Sequence, residues 1–409
     1  MTNLRLSVDV SSLDTEEVLM VLAEHFGSAS MGEGRISFQR QDSSADVEIS
    51  RRGRVVRIWL GPRMTHDEED TIQRKLEGAL IEGQHTVVGQ HVGFCSHRVK
   101  GYYRYREELQ IMPVPDEAPR SDVRLADHPF LLQHTYTWSP EHMVRNRRRL
   151  DQARFSLRLL DLLSGARIHG GSRVARHEWV MPGPVQDPSR WKSEWRQLGY
   201  IYSPGFPAEI ECFSDMTDHE PLVFVPTEQH FARPGVTGDP LELPDDIETA
   251  LDLAFDLRGE DRERFQRALI YLEHAKSVLE ESRSLAYIAL VMAIEALMDK
   301  PERCEACDQA LLEKKPRCAA CGQPVFSTTR TFREFLETHA PIIRDEPGIG
   351  NRLYGLRSDL AHGNDVMRHD MSALTMYARY AEEEYTLEST LDMIAGTAIR
   401  NWLHSRVST

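Results

Sequence analysis

The chain has 409 residues, 41% of them apolar, with 64 acidic against 49 basic side chains and a net charge of −15. A chain of this length has room for more than one hydrophobic core, so two or three domains are expected. The acidic balance excludes a protein that coats nucleic acid nonspecifically, because phosphate neutralisation needs a positive surface, but it leaves room for a local basic site.

The sequence contains no apolar run of membrane-spanning length, and its N-terminus lacks a basic stretch followed by an apolar one. Neither a span nor an export signal is read, and a cytoplasmic location is expected. In chain order, residues 15–26 and 67–81 read as amphipathic helices, the first capped by Asp14 or Thr15 with carboxylates in its first turn. Residues 35–40, 45–50 and 54–60 read as strands, with a turn at Arg52-Gly53. Apolar and aromatic residues alternate loosely over 109–138, and Ser139-Pro140-Glu141 then opens a long helix to about residue 163. Residues 166–227 are rich in Gly, Pro and aromatic residues, with only short strand-like pieces. Residues 1–235 are thus expected to form an α+β region of one or two lobes.

Three prolines and two glycines between 233 and 246 prevent helix or sheet from propagating, so residues 236–246 read as a linker. Beyond it the apolar periodicity is helical over 247–257, 260–281, 284–300, 329–339, 350–362 and 372–405. In the third of these, Leu285, Ile288, Ala289, Met292, Ala293, Ala296 and Leu297 share a stripe. Leu290, Val291 and Ile294 widen it to nearly the whole circumference, the pattern of a central helix. The expected architecture is an α+β region followed by an all-α bundle over 247–405.

Cys304-Glu-Ala-Cys307 and Cys318-Ala-Ala-Cys321 are two CxxC pairs, ten residues apart. Each pair turns two thiolates toward one point, and together they make a closed, tetrahedral four-cysteine site for Zn2+. Four protein ligands leave no position for water, so the zinc is expected to be structural, stapling a knuckle over 301–325 into the bundle. Arg303, Lys314, Lys315 and Arg317 would offset part of the thiolate charge.

Two stretches interleave cations with aromatic rings or line up cations along a helix: Arg98, Lys100, Tyr103, Arg104 and Arg106 in the first, Arg147 and Arg148 in the second. Such patches track a phosphate backbone and stack unpaired bases, or else are solvated faces with half-buried tyrosines.

The remaining signal is Arg357-Ser-Asp-Leu-Ala-His362-Gly363 at the end of a helix. A histidine titrates where proton transfer at neutral pH needs it, and a guanidinium stabilises charge building on phosphate oxygens. Side chains five apart on a helix diverge by about 140°, and Gly363 as a C′ stop would free His362 at a frayed end to turn back. Asp359 could orient His362, pair with Arg352 or remain a solvated carboxylate, and Ser358 lies beside it. Glu295, on an otherwise apolar helix, is costly to bury unpaired, so it either meets an arginine or faces the cleft; an ion pair with a core arginine is the preferred reading, Arg357 being one candidate. An Arg and a His near a helix C-terminus also favour the helix dipole with no catalysis at all.

This Arg-x4-His string in a helical setting resembles the HEPN superfamily of ribonucleases, and Tyr354 through Gly363 is similar to its ApeA-like branch, associated with bacterial anti-phage defence. The resemblance covers about 160 residues and implies a HEPN-like helical domain, a two-fold homodimer lining one cleft, RNA as substrate and metal-independent cleavage by Arg357 and His362. A phage-derived trigger would then be sensed by residues 1–235. Some HEPN domains only bind nucleotide, RNA or a partner protein, and that noncatalytic reading stands beside the enzymatic one.

Overall fold

The computed structural model describes residues 2–406 apart from 5–8, 10, 12, 33, 42, 81–84, 116–126, 171–206, 233–236, 280, 300–327, 342, 344–345, 347 and 372–378. Five strands, β1 (Thr2–Asn3), β2 (Ala29–Gly32), β3 (Arg35–Arg40), β4 (Ser43–Ile49) and β5 (Val55–Leu60), form an antiparallel sheet in the order β1-β5-β4-β3-β2. Helices α1 (Thr15–Phe26) and α2 (His66–Leu80) bury Val18, Leu22, Phe26, Ile72 and Leu76 against Phe38, Val47, Ile58 and Leu60 of this sheet. The start of α1 follows the capping expectation: the Asp14 carboxylate accepts the Glu17 N–H at 3.0 Å. A register shift at Glu48/Ile49 changes the alternation, so Val55 and Ile58, three residues apart, both reach the core while Val56 faces out.

The second sheet is antiparallel and six-stranded: β6 (Thr86–Cys95), β7 (Tyr103–Tyr105), β8 (Leu109–Pro113), β9 (His128–Thr137), β10 (Ile168–His169) and β11 (Glu209–Ile210), in the order β10-β6-β9-β8-β7 with β11 also on β6. Helix α3 (His142–Ser164) packs on one face, so closely that a Cβ at Gly93 would fall 2.9 Å from Leu157. On the other face, Gln110 donates to Gln133 (3.0 Å) and Gln133 to Gln90 (2.8 Å), residues directly opposite one another across three strands. A slip of one residue would turn these buried amides to the wrong face, so the ladder selects the register. A parallel pair, β12 (Val223–Val225) and β13 (Glu242–Pro244), flanks α4 (Thr227–Ala232), and β13 lies within the stretch read as linker.

The remaining described helices are α5 (Ile247–Asp256), α6 (Gly259–Val278), α7 (Arg283–Glu295), α8 (Thr328–His339), α9 (Ile349–Ala361), α10 (Arg368–Met371) and α11 (Arg379–His404). They do not close into an all-α HEPN-like bundle, and that expectation is corrected: the described residues are mixed α/β, 52% helix and 22% strand in three sheets. One continuous set of buried side chains runs from Tyr105, Leu109 and Phe130 in the second sheet through Leu159, Leu160 and Leu163 of α3 to Phe265, Tyr287 and Trp402 of the helices. Ion pairs Lys276–Asp161 (2.7 Å) and Arg158–Glu273 (2.7 Å) tie α6 to α3 along the same seam. Periodicity shows that a helix has an apolar face but not what covers it, and here α3 and the second sheet join the helices in one core. Leu285, placed on the central stripe of its helix, is 57% exposed. The cysteines of the expected zinc knuckle, Cys304, Cys307, Cys318 and Cys321, lie outside the described residues. Among the described residues no helix is long and apolar enough to cross a membrane.

Candidate functional site

Helix α9 begins after Gly348, whose φ of 85° suits glycine, and buries Ile349, Leu353 and Leu360. Its position is set by α7: the buried Tyr287 hydroxyl donates to the Leu353 carbonyl at 3.0 Å. Tyr354 packs its ring 5.2 Å from Phe332 of α8. These contacts bring the side chains of Tyr354 and Arg357 to the C-terminal end of α7, where Glu295 accepts from both, at 3.0 Å from the phenol and 3.1 Å from Arg357 Nη2. Of the readings open to Glu295, the ion pair with an arginine is the one found, and the arginine is Arg357.

The pair is partly buried, with side chains 23% and 20% exposed, and the guanidinium also sits 5.6 Å above the Tyr354 ring. Burial and then the adjacent Glu295 charge raise the Tyr354 phenol above its ordinary range, so it remains a hydrogen-bond donor at neutral pH. One Nη of Arg357 is committed to Glu295, and Nε is buried without a hydrogen-bond partner among the described residues.

His362 is the C-cap of α9, and its imidazole is exposed. Gly363 has φ 69° and donates to the Leu360 carbonyl (3.2 Å), while Asn364 donates to the Asp359 carbonyl (2.9 Å). This is a Schellman motif, so the helix end is closed and not frayed as expected. No hydrogen bond or ion pair joins Arg357 to His362 among the described residues: the first points to α7 and the second to solvent. Ser358 contributes its carbonyl to the His362 N–H (3.0 Å). Asp359 is exposed, and Arg352 pairs with Glu346 instead of with it.

The segment that follows His362 is pinned back onto α7. Asp370 accepts from the Arg283 N–H (2.7 Å), the Ser284 N–H (3.0 Å) and the Ser282 hydroxyl (2.8 Å), and Met367 is buried. Burial alone would raise Asp370, but the hydrogen bonds from Ser284, Ser282 and the helix N-terminus outweigh it and hold the carboxylate below its usual range. No local pattern marks Asp370 for this task, since its partners lie more than eighty positions earlier.

The basic stretches are largely engaged within the chain. Arg147 meets Asp14 (2.7 Å) and Glu16 (2.8 Å), and Arg148 meets Glu17 (2.6 Å), so this face of α3 clamps α1. Arg104 pairs with Glu107 (2.7 Å), Arg106 with Asp252 (2.6 Å), and Tyr103 is buried in the core. Lys100 is exposed, and Arg98 is half-buried where its backbone bridges to the segment before β13. These cations are not brought together with Arg357 and His362 into one surface by any contact among the described residues.

Of the six cysteines, Cys95 is buried and Cys212 exposed, both as free thiols, and burial pushes the Cys95 thiol up to about 12. Among the described residues no group of three or more His, Cys, Asp or Glu side chains is placed to hold a metal ion. Comparisons with protein-family models, with curated proteins and with solved structures find no match to this chain.

Proposed function

We propose that the protein is a metal-independent endoribonuclease of the HEPN type, acting in the cytoplasm in bacterial anti-phage defence. The observation that carries this reading is the anchoring of Arg357 by Glu295 and Tyr354 one helical turn before a capped helix end that presents His362 to solvent. In the proposed reaction His362 removes the proton of a ribose 2′-hydroxyl, and the 2′-oxygen bonds to phosphorus. The bond from phosphorus to the 5′-oxygen breaks, and the leaving oxygen takes a proton. Arg357 stabilises the charge on the phosphoryl oxygens. The products would carry a 2′,3′-cyclic phosphate and a 5′-hydroxyl. Incubating the purified chain with RNA in EDTA, under conditions that leave bound zinc in place, and sequencing the ends tests this; intact RNA across a broad panel refutes it.

A second reading is favoured by the absence of any bond between Arg357 and His362 among the described residues, and by the internal carboxylate that Arg357 already holds. In that reading the domain binds nucleotide, RNA or a protein without cutting. The two separate on whether bound RNA is recovered whole.

The divergence of the two side chains supports a homodimer in which each copy supplies part of one cleft, giving the reaction both an acid and a base. Sedimentation at micromolar concentration should then show a dimer; a monomer with full activity contradicts it. For Cys304, Cys307, Cys318 and Cys321 we propose a structural zinc site. Elemental analysis in reducing buffer should find one zinc per chain, and Cys304→Ser should lower thermal stability, because metal binding energy is folding energy there. A zinc-free preparation of unchanged stability removes the site.

A further inference from the structure

The segment before β7 meets the β12–β13 unit at two parallel bridges, Arg98 with Pro240 and Tyr102 with Pro221. Tyr102 donates its N–H to the Glu220 carbonyl (2.9 Å) and accepts from the Leu222 N–H (2.8 Å), a one-residue parallel bridge. Beyond it the two chains separate, Tyr103–Tyr105 as the sheet's last strand β7 and Val223–Val225 as β12. An open cleft of about 520 Å3 lies between them, lined by Tyr102, Tyr103, Arg104, Phe224 and Glu248 among others. Backbone polar groups alternate along a strand, so the N–H and C=O of Arg104 point to the same side as those of Tyr102. By the same alternation Phe224 turns its own toward the cleft, as Leu222 does. Two unextended strand edges therefore face one space.

The walls are apolar and the charge is specific. Phe224, 45% exposed, meets the Tyr103 ring edge-on at 5.9 Å. The Tyr103 hydroxyl is buried without a hydrogen-bond partner and close enough to Glu248 to feel its charge. Arg104 and Arg106 are neutralised by Glu107 and Asp252, whereas Glu248 is exposed and forms no ion pair among the described residues. The uncompensated charge of the cleft is negative, which disfavours a phosphate backbone and favours a cation.

We infer that this cleft binds an extended, basic peptide segment of a partner protein. The segment adds to the open strand edge, and the stem of a lysine or arginine lies along Phe224 with its head at the exposed Glu248 carboxylate. Main-chain hydrogen bonds supply the affinity and Glu248 the choice of charge.

The test uses the full chain and three fluorescein-labelled probes: a seven-residue peptide alternating valine and lysine, the same peptide with glutamate for lysine, and a seven-nucleotide oligouridine. Anisotropy should show the lysine peptide bound severalfold more tightly than either other probe, as expected for a charge pair at an exposed carboxylate. Glu248→Lys, at an exposed helix position, should reverse the order of the two peptides, and Phe224→Ala should weaken the lysine peptide severalfold with the melting curve unchanged. Equal binding of the two peptides, preference for oligouridine, or an order unchanged in Glu248→Lys overturns the inference.

Discussion

Replacing His362 by alanine is expected to reduce RNA cleavage by about 10^2 to 10^4-fold, the usual contribution of a positioned proton-transfer group. The fold should be unaffected, because the side chain is exposed and the helix end is closed by backbone bonds of Gly363 and Asn364, not by the imidazole. Arg357→Lys keeps the charge but not the planar fork that holds Glu295 with one N–H and, in the proposed reaction, would meet a phosphoryl oxygen with another, so activity should fall comparably. Glu295 would then hold an ammonium on a flexible stem, and Tyr354 would lose the flat cation above its ring. The decisive measurement is the rate of appearance of 2′,3′-cyclic phosphate ends for wild type and both variants, with circular dichroism as the folding control. Folded His362→Ala that cuts at the wild-type rate ends the ribonuclease proposal and leaves the binding reading.

Acid should destabilise the second sheet through His134. This side chain on β9 is fully buried, with neither ring nitrogen in a hydrogen bond of ordinary geometry. It is packed against the backbone at Gly89, where an added Cβ would come within 2.8 Å of the ring. Burial, helped by the nearby charges of His91 and Arg149, pushes the imidazole from 6.5 down to about 3. Between those two values the unfolded chain holds a proton on His134 that the folded chain does not. Stability is therefore complete above about pH 6.5 and is lost as the pH falls, on the order of 1.4 kcal/mol per pH unit from this group. Urea unfolding at pH 7 and pH 5 should differ by about 2 kcal/mol more in the wild type than in His134→Phe, which cannot titrate. Equal pH dependence in the two proteins would show that His134 is not the group responsible.

Several features were legible in the sequence because they depend on neighbours along the chain. The Asp14 cap, the turn at Gly53, the stop at Gly363 and the strands 35–40 and 54–60 each follow from the conformational demands of a few adjacent residues. Even the Glu295–Arg357 pair was reachable, since an acidic residue on an apolar helix needs a cationic partner and Arg357 stands on a neighbouring helix of the same region. The tertiary structure alone decided what those elements face. Apolar periodicity cannot tell whether α6, α7 and α11 cover one another or a sheet, and here α3 and the second sheet share their core. The arginines of α3 looked like a nucleic-acid surface until the fold set them against Asp14 and Glu17, with Glu17 131 residues before Arg148. Only one wall of the cleft between β7 and β12 was legible: Tyr103, Arg104 and Arg106 stand out in the sequence as a basic, aromatic stretch, whereas Phe224 and Glu248 come from a distant part of the chain that tertiary pairing alone brings beside them.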